Sequence, residues 1–281
     1  MPFNYKTKPY EHQEEALLRS FNRKNYAYFM EMGCGKSKVL IDNITWLYEN
    51  KKIDTAIIIA PKGVYMNWKN AEIPIHLPDN IEKNVYIWKA SANKTEKKVL
   101  EEGVKTRDKL RILLVNVESF ATAKVIKYLE AFTHRSNFML AVDESTTIKN
   151  IKAKRTKSVL KLGDSAQYKR ILTGSPITQS PMDLYAQCAF LDKDLLGFDS
   201  YWSFQGRYAI VRQTRMGNHS FQQVVGFRNL EELTDKLHNF AYRVTKKEAL
   251  DLPDKIYTTR EVVLTSDQIK HYNSMKDVAV A

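Results

Sequence analysis

Residues 30–43 read MEMGCGKSKVLIDN, and the reading of Gly33-Cys34-Gly35-Lys36-Ser37 decides the fold. The strict phosphate-loop pattern asks for a glycine three residues before Gly33, where Met30 stands. Taken alone, the stretch is either a phosphate cradle or a helix start with a lysine in its first turn. Its surroundings separate the two. YAYFM (26–30) just before it has the apolar run of a strand, and Leu40, Ile44, Leu47 and Tyr48 after it share one face at helical period. A glycine-bearing bend between strand and helix is the context a phosphate loop needs. Glycines let backbone N–H groups converge on phosphate oxygens without Cβ clashes. The helix N-terminus adds free donors and a favourable dipole. Gly33, Cys34, Gly35, Lys36 and Ser37 are then the expected phosphate residues, with Lys36 reaching the β/γ-phosphates of ATP and the Ser37 hydroxyl binding Mg²⁺.

Such a site needs an acidic residue at the end of another strand. MLAVDEST (139–146), roughly a hundred residues further on, supplies Asp143 after an apolar run. Asp143 is expected to hold Mg²⁺ through water, and Glu144 to polarise an attacking water. A lone Asp-Glu pair is more often a solvated loop. Two matching halves at two strand ends favour the nucleotide site.

The rest of the chain alternates strand and helix patterns. TAIIIAP (55–61), VYIW (85–88), RILLVNV (111–117), FMLAVDE (138–144) and RILTG (170–174) read as strands, with helices over 64–73, 94–105 and around Val125, Leu129 and Phe132. Several strands are apolar at consecutive positions, which suits a parallel sheet covered on both faces. Ligands of such sheets bind at the strand C-terminal ends. The predicted fold class is therefore α/β. After Leu191 an aromatic-rich stretch precedes a hairpin with its turn near Gly217-Asn218, and 230–240 is helical. LPDK (252–255) reads as a boundary and IYTTREVVLT (256–265) as a further strand. The expected division is 1–190, a nucleotide-binding lobe; 191–250, a small helical and hairpin protrusion that returns to the lobe; and 251–281, a linker.

Bulk properties exclude several classes. No apolar run approaches a membrane span, and the N-terminus has no apolar signal core. Two cysteines and six scattered histidines give no disulfide framework and no structural metal site. An intracellular setting follows, in cytoplasm, nucleus or nucleoid. Basic residues outnumber acidic ones 44 to 32, giving +12. That excess suits a polyanion such as nucleic acid, or equally a Lys-rich solubilising surface.

With both halves in hand, the chain resembles the first RecA-like lobe of a superfamily 2 helicase, and more narrowly the Swi/Snf-type DNA translocases. The resemblance runs from about Lys8 to Tyr272. EMGCGKS is similar to the family's Asp-Glu-Met-Gly-Leu-Gly-Lys-Thr loop, in which the position of Met30 need not be glycine. KPYEHQEEAL resembles the adenine-reading segment and implies that Gln13 grips the base. APKGVYMNW, VNVESF and DESTTIKN stand where the family has its next motifs. The resemblance makes Lys62, Gly63 and Ser119 contacts to the DNA backbone. LTGSPITQSPMDLY is close to the coupling motif, which makes Thr173, Gly174 and Ser175 the relay between ATP and DNA. YRVTKKEALDLPDK resembles the segment that ends the first lobe, and RYAIV with GFRNLEEL resembles the annealing-helicase branch.

Some positions depart from the family. Thr146 replaces a histidine, Ser145 an alanine, Gln179 an asparagine and Val244 an arginine. The family also needs a second RecA-like lobe that delivers arginines to the transition state. The expectation is half an active site, with ATP and Mg²⁺ bound and turnover weak or absent until a second lobe is supplied.

The run KNIKAKRTKSVLK (149–161) carries Lys149, Lys152, Lys154, Arg155, Lys157 and Lys161 with no acid. Such a run is commonly a solvated helix face. By resemblance it lies beside the backbone groove of double-stranded DNA, with Lys149, Asn150, Lys152, Lys154 and Arg155 as sequence-independent contacts. Two other readings remain: a non-catalytic nucleic-acid-binding module on a degenerate lobe, and an RNA helicase of the same superfamily.

Overall fold

The computed structural model describes residues 3–216, 219–251, 256 and 258–280. Its strands are β1 (Asn25–Met30), β2 (Thr55–Ala60), β3 (Lys83–Ile87), β4 (Leu110–Asn116), β5 (Phe138–Asp143), β6 (Tyr168–Leu172), β7 (Ala209–Met216), β8 (His219–Phe227) and β9 (Ala241–Val244). Seven of them form one sheet in the order β3-β4-β2-β5-β6-β1-β9, and every pairing in it is parallel. This is the α/β architecture of a RecA-like lobe.

The central strands explain the layering. All six residues of β2 and all six of β5 are buried, because helices cover both faces. Alternate side chains go to opposite cores. Ala56, Ile58 and Ala60 pack with Val39, Leu40, Ile44 and Leu47 of the helix Lys36–Glu49, here α2. Ile57 and Ile59 pack with Val125, Leu129 and Phe132 of the helix Ala123–Thr133. Each such side chain contributes about 1.5–3 kcal/mol on burial.

A buried arginine ties the edge together. Arg170 in β6 is fully buried and pairs with no carboxylate among the described residues. Its guanidinium donates to Asn43 Oδ1 at 2.9 Å and to the carbonyls of Ser20, Arg23, Lys24 and Lys169. Ser20 closes the helix Glu11–Ser20, here α1, so the arginine satisfies carbonyls left open at that helix end.

Strand β9 was not legible as a strand. It pairs with β1 from Ala27↔Ala241 to Met30↔Val244. The pairing runs on as Glu31 N donates to Val244 O at 2.9 Å and Lys246 N to Glu31 Oε2 at 2.8 Å. The segment 64–73 is helical but interrupted: Tyr65–Asn67 is α-helical, Trp68–Glu72 forms a π turn, and Ile73–His76 returns to α. Strands β7 and β8 form the expected antiparallel hairpin. Its predicted turn at Gly217-Asn218 lies outside the described residues, as does LPDK (252–255). The protrusion helix Tyr201–Tyr208 is capped by Ser200, whose Oγ accepts from Ser203 N, and buries Phe204 and Tyr208 against Phe198.

Backbone contacts separate Met1–Leu250 from Asp251–Ala281. In the second unit the strand expected over 256–265 is absent among the described residues, and the regular element is the helix Ser266–Val280. Val262 and Val263 are 73% and 95% exposed, so the β-branched residues there find no strand to pair with. No helix among the described residues is long and apolar enough to cross a membrane.

Candidate nucleotide and nucleic-acid site

The loop after β1 turns through two left-handed glycines, Gly33 at φ 89° and Gly35 at φ 79°. Gly35 is the N-cap of α2, so Lys36 and Ser37 open the helix with its free N–H groups around them. A Cβ on Gly35 would stand 2.2 Å from Gln13 Nε2. That contact exists because α1 lies against the loop. Gln13 Nε2 donates to Cys34 O at 3.2 Å, and His12 Nε2 is 2.9 Å from the same oxygen. Gln13 Oε1 accepts from Tyr10 N at 3.1 Å and so caps its own helix. The glutamine expected to read adenine is thus buried against the phosphate loop. Lys36 Nζ donates to Met30 O at 3.0 Å, and Cys34 is buried, with burial pushing its thiol pKa up.

The acidic half arrives at the same sheet edge. Asp143 lies in register with Leu172, and Leu172 with Tyr28. Two strand spacings of about 4.8 Å put the end of β5 roughly 10 Å from β1. Asp143 is buried. Its Oδ2 accepts from Trp68 Nε1 at 2.8 Å and its Oδ1 from Glu144 N at 3.0 Å. Burial pushes its carboxyl up to about 6; the Glu144 charge adds to this, while the Trp68 N–H and the Lys36 ammonium pull the other way.

Glu144 adopts φ 48°, a left-handed conformation unfavourable for a residue with a Cβ and often found at functional turns. Thr173 Oγ1 lies 3.4 Å from Glu144 Oε2 and accepts from Ser175 N at 3.2 Å. A Cβ on Gly174 would meet Met32 N at 3.1 Å and Met30 O at 3.4 Å, so the loop after β6 packs directly on the phosphate loop. A cavity of about 370 Å³ opens here, lined by Glu31, Met32, Glu144, Thr146, Thr173 and Ser175 among others.

These residues fit a magnesium–nucleotide. Among the described residues no three His, Cys, Asp or Glu side chains gather as a metal cage. A cation at Asp143 would draw its remaining ligands from Ser37, water and phosphate oxygens, the manner in which Mg²⁺ is usually held. A cation there would also relieve the carboxylate whose burial opposes its charge.

Three participants were missed in the sequence. Trp68 reaches Asp143 through the π turn, a feature frequent at functional sites. Lys246 lies with Cε 3.1 Å and Nζ 3.6 Å from the position of a Cβ on Gly33, delivered there by β9. Gln187 accepts from Ser145 Oγ at 2.6 Å, so the serine standing in place of alanine finds a buried partner.

The residues expected to meet DNA occupy the other half of the same edge. Lys62 and Gly63 are exposed in the turn after β2, and Ser119 lies in the 3₁₀ turn Val117–Ala121 after β4. Lys149, Asn150 and Lys152 follow β5, and Lys154 and Arg155 begin the helix Lys154–Gly163. The order β4-β2-β5 thus carries these candidates, and β5-β6-β1 carries the residues expected to meet the nucleotide. Lys149 is engaged internally: its Nζ donates to Gln179 Oε1 at 3.2 Å and pairs with Asp183 Oδ2 at 3.3 Å. Burial alone would raise the Asp183 pKa, but the N–H groups of Gln179 and Thr178, the Thr178 hydroxyl and Lys149 hold it below the usual carboxylate value. Lys154, Lys157 and Lys161 are exposed and have no carboxylate partner among the described residues.

The sequence profile of the SNF2-related domain matches residues 17–281. The chain is 28% identical over 254 residues to the SWI/SNF chromatin-remodeling complex subunit snf22 of Schizosaccharomyces pombe, covering 88% of this chain and 14% of that protein. It is 25% identical over 255 residues to the helicase-like transcription factor of Homo sapiens, covering 86% of this chain and 23% of that protein. The chain therefore spans less than a quarter of the length of these curated relatives. Among solved structures it is similar to the Sulfolobus solfataricus SWI2/SNF2 ATPase core in complex with dsDNA, with a TM-score of 0.66 and 24% identity, covering 100% of this chain and 55% of that one. At that identity the likeness is one of fold.

Proposed function

The chain belongs to the SNF2-related family, and on that premise we propose that it is the ATP-binding lobe of a motor on double-stranded DNA. Lys36 and the loop Gly33–Ser37 take the phosphates, Ser37 and Asp143 hold Mg²⁺, and Glu144 orients water. Gln13 is assigned to the adenine, for which its amide must exchange the bonds it makes to Cys34 O and Tyr10 N, and Thr173, Gly174 and Ser175 pass the nucleotide state to the DNA side. The single observation that carries the reading is the convergence of Lys36 and Asp143 at one sheet edge with β6 between their strands.

Bound Mg²⁺ would neutralise phosphate charge as the leaving group departs. Trp68 fixes the Asp143 carboxylate, and Thr173 stands next to Glu144. Among the described residues, neither lysine nor arginine lines the cavity beside Glu144. The positive charge that phosphoryl transfer needs is assigned to a second RecA-like lobe, and slow turnover is expected from this lobe alone. The DNA contacts are Lys62, Gly63, Ser119, Asn150, Lys152, Lys154 and Arg155, with Lys149 bracing the segment 178–183. They address phosphates, so the binding is independent of sequence and weakens with salt. Such a motor works inside the cell, where ATP and DNA occur together.

The test is MgATP titration of the wild type and Lys36→Ala, with duplex DNA affinity measured with and without nucleotide. Loss of binding in the variant and a nucleotide-dependent DNA affinity support the motor. DNA binding that ignores nucleotide would favour a non-catalytic binding module, the reading suggested by Thr146 in place of the family's histidine.

A further inference from the structure

The protrusion holds an indole that the motor reading leaves unused. The chain has four tryptophans. Trp46, Trp68 and Trp88 are 8%, 0% and 8% exposed, whereas Trp202 is 61% exposed. Trp202 sits on a helix whose other face is locked into the core by Phe204 and Tyr208, so the indole is held out on a rigid support. Beside it opens a groove of about 690 Å³ whose walls include Lys149, Asn150, Lys152, Gln205 and Gln222. The Lys152 ammonium lies 5.3 Å from the Trp202 ring centroid. The acid-free basic helix Lys154–Gly163 starts two residues further along the chain.

Those groups match one ligand chemistry. An exposed indole face is a stacking platform for any nucleobase. The amides of Asn150, Gln205 and Gln222 offer both donors and acceptors to a base edge that has lost its pairing partner. The Lys152 ammonium, next to the ring, neutralises the adjoining phosphate. A paired base inside a duplex cannot present its face to the ring, so the site selects single strands.

We propose that this groove binds an unpaired nucleotide of single-stranded DNA, with the base stacked on Trp202 and its phosphate on Lys152. The inference rests on the DNA-motor reading and extends it: the lobe would engage junctions where duplex gives way to single strand.

The test uses the full chain, a single-stranded oligothymidylate and a blunt duplex of equal length. Binding is followed by anisotropy and by intrinsic tryptophan emission. Because the other three indoles are buried, quenching by the single strand should come from Trp202 and vanish in Trp202→Phe, which keeps most of the affinity. Trp202→Ala should weaken single-strand binding about tenfold, within the range for one base–aromatic stack, and leave duplex binding within about twofold. Thermal melting confirms that the exposed substitutions leave the fold intact. Single-strand affinity unchanged in Trp202→Ala, or quenching that persists in Trp202→Phe, overturns the proposal while leaving the motor reading standing if duplex still binds. A wild type that binds neither DNA overturns both. A Trp202→Ala effect of equal size on both substrates also overturns it, and assigns the ring to duplex contact.

Discussion

The indole N–H of Trp68 donates to Oδ2 of Asp143 at 2.8 Å, across 75 positions of sequence. The bond orients the acidic end of β5 before any cation arrives. With Glu144 N on Oδ1, both carboxylate oxygens already have a protein donor and each keeps a lone pair for a further partner. Trp68→Phe removes the donor and keeps an aromatic ring. The Asp143 pKa should then climb above its value of about 6, since the Trp68 bond pulls it down. A hydrogen bond to a charged group is worth about 1.5 kcal/mol, so MgATP affinity at neutral pH should fall roughly tenfold. Calorimetric titration with Mg²⁺ and with EDTA checks this: the loss should be confined to the Mg²⁺ series.

Gly35 offers a test of the loop itself. Alanine there must adopt φ 79° and place a Cβ 2.2 Å from Gln13 Nε2. The left-handed backbone alone costs about 1–2 kcal/mol. Gly35→Ala should lower the melting temperature by several degrees and weaken nucleotide binding more than tenfold. Gln13→Ala combined with Gly35→Ala removes the clash but not the backbone strain, so stability should recover only in part. Full recovery would mean that the glycine is needed for space alone.

Parts of this site were open to the sequence and parts were not, for physical reasons. TAIIIA and FMLAV announce strands buried on both faces, because a continuous apolar run fits little else between helices. The positions of the glycine bend and of the Asp143-Glu144 pair, each at the end of a strand, were legible because an apolar run precedes each of them. AYRV (241–244) carries no comparable pattern; it is a strand because β1 offers its edge. Arginine is rarely buried without a charged partner, and nothing in RILTG (170–174) announces that Arg170 is buried with carbonyls and Asn43 as its partners. Lys149 belongs to a basic run that suggests solvent or phosphate, yet Asp183 receives it. EVVLT (261–265) shows the reverse error: its β-branched residues form no strand among the described residues.

Strand β9 makes a claim about Lys246 testable. The lysine stem rests on Gly33, and its ammonium makes no hydrogen bond to another described residue. Lys246 N bonded to the Glu31 carboxylate, and Glu31 N bonded to Val244 O, hold the segment in place, so removing the charge should leave the fold intact. Lys246→Met should weaken ATP severalfold and ADP less, with adenosine unaffected, because only the phosphates meet the loop. Lys246→Arg should retain most of the affinity. Equal loss for adenosine and ATP would show that the stem's packing matters and the charge does not.

Helix α2 carries a buried acid whose titration couples to folding. Asp42 in α2 is 3% exposed; its Oδ2 accepts from Lys38 Nζ at 2.7 Å, while Oδ1 is buried with no hydrogen-bond partner. Burial pushes its carboxyl from 3.8 up to about 6, with the Lys38 hydrogen bond and charge pulling it back. The folded value therefore lies above the unfolded one. Between about pH 4 and pH 6 the native state holds more protons than the unfolded chain, so this contribution to stability is complete below pH 4 and is lost as pH rises through 6. The shift corresponds to something on the order of 3 kcal/mol. Asp143, raised in the same direction, adds to the slope. Asp42→Asn has no proton to exchange and should show a shallower decline in urea-unfolding free energy between pH 4 and pH 6.5, whatever its absolute stability. Parallel curves for wild type and variant would mean that Lys38 compensates the carboxylate fully and that burial leaves no net penalty on its charge.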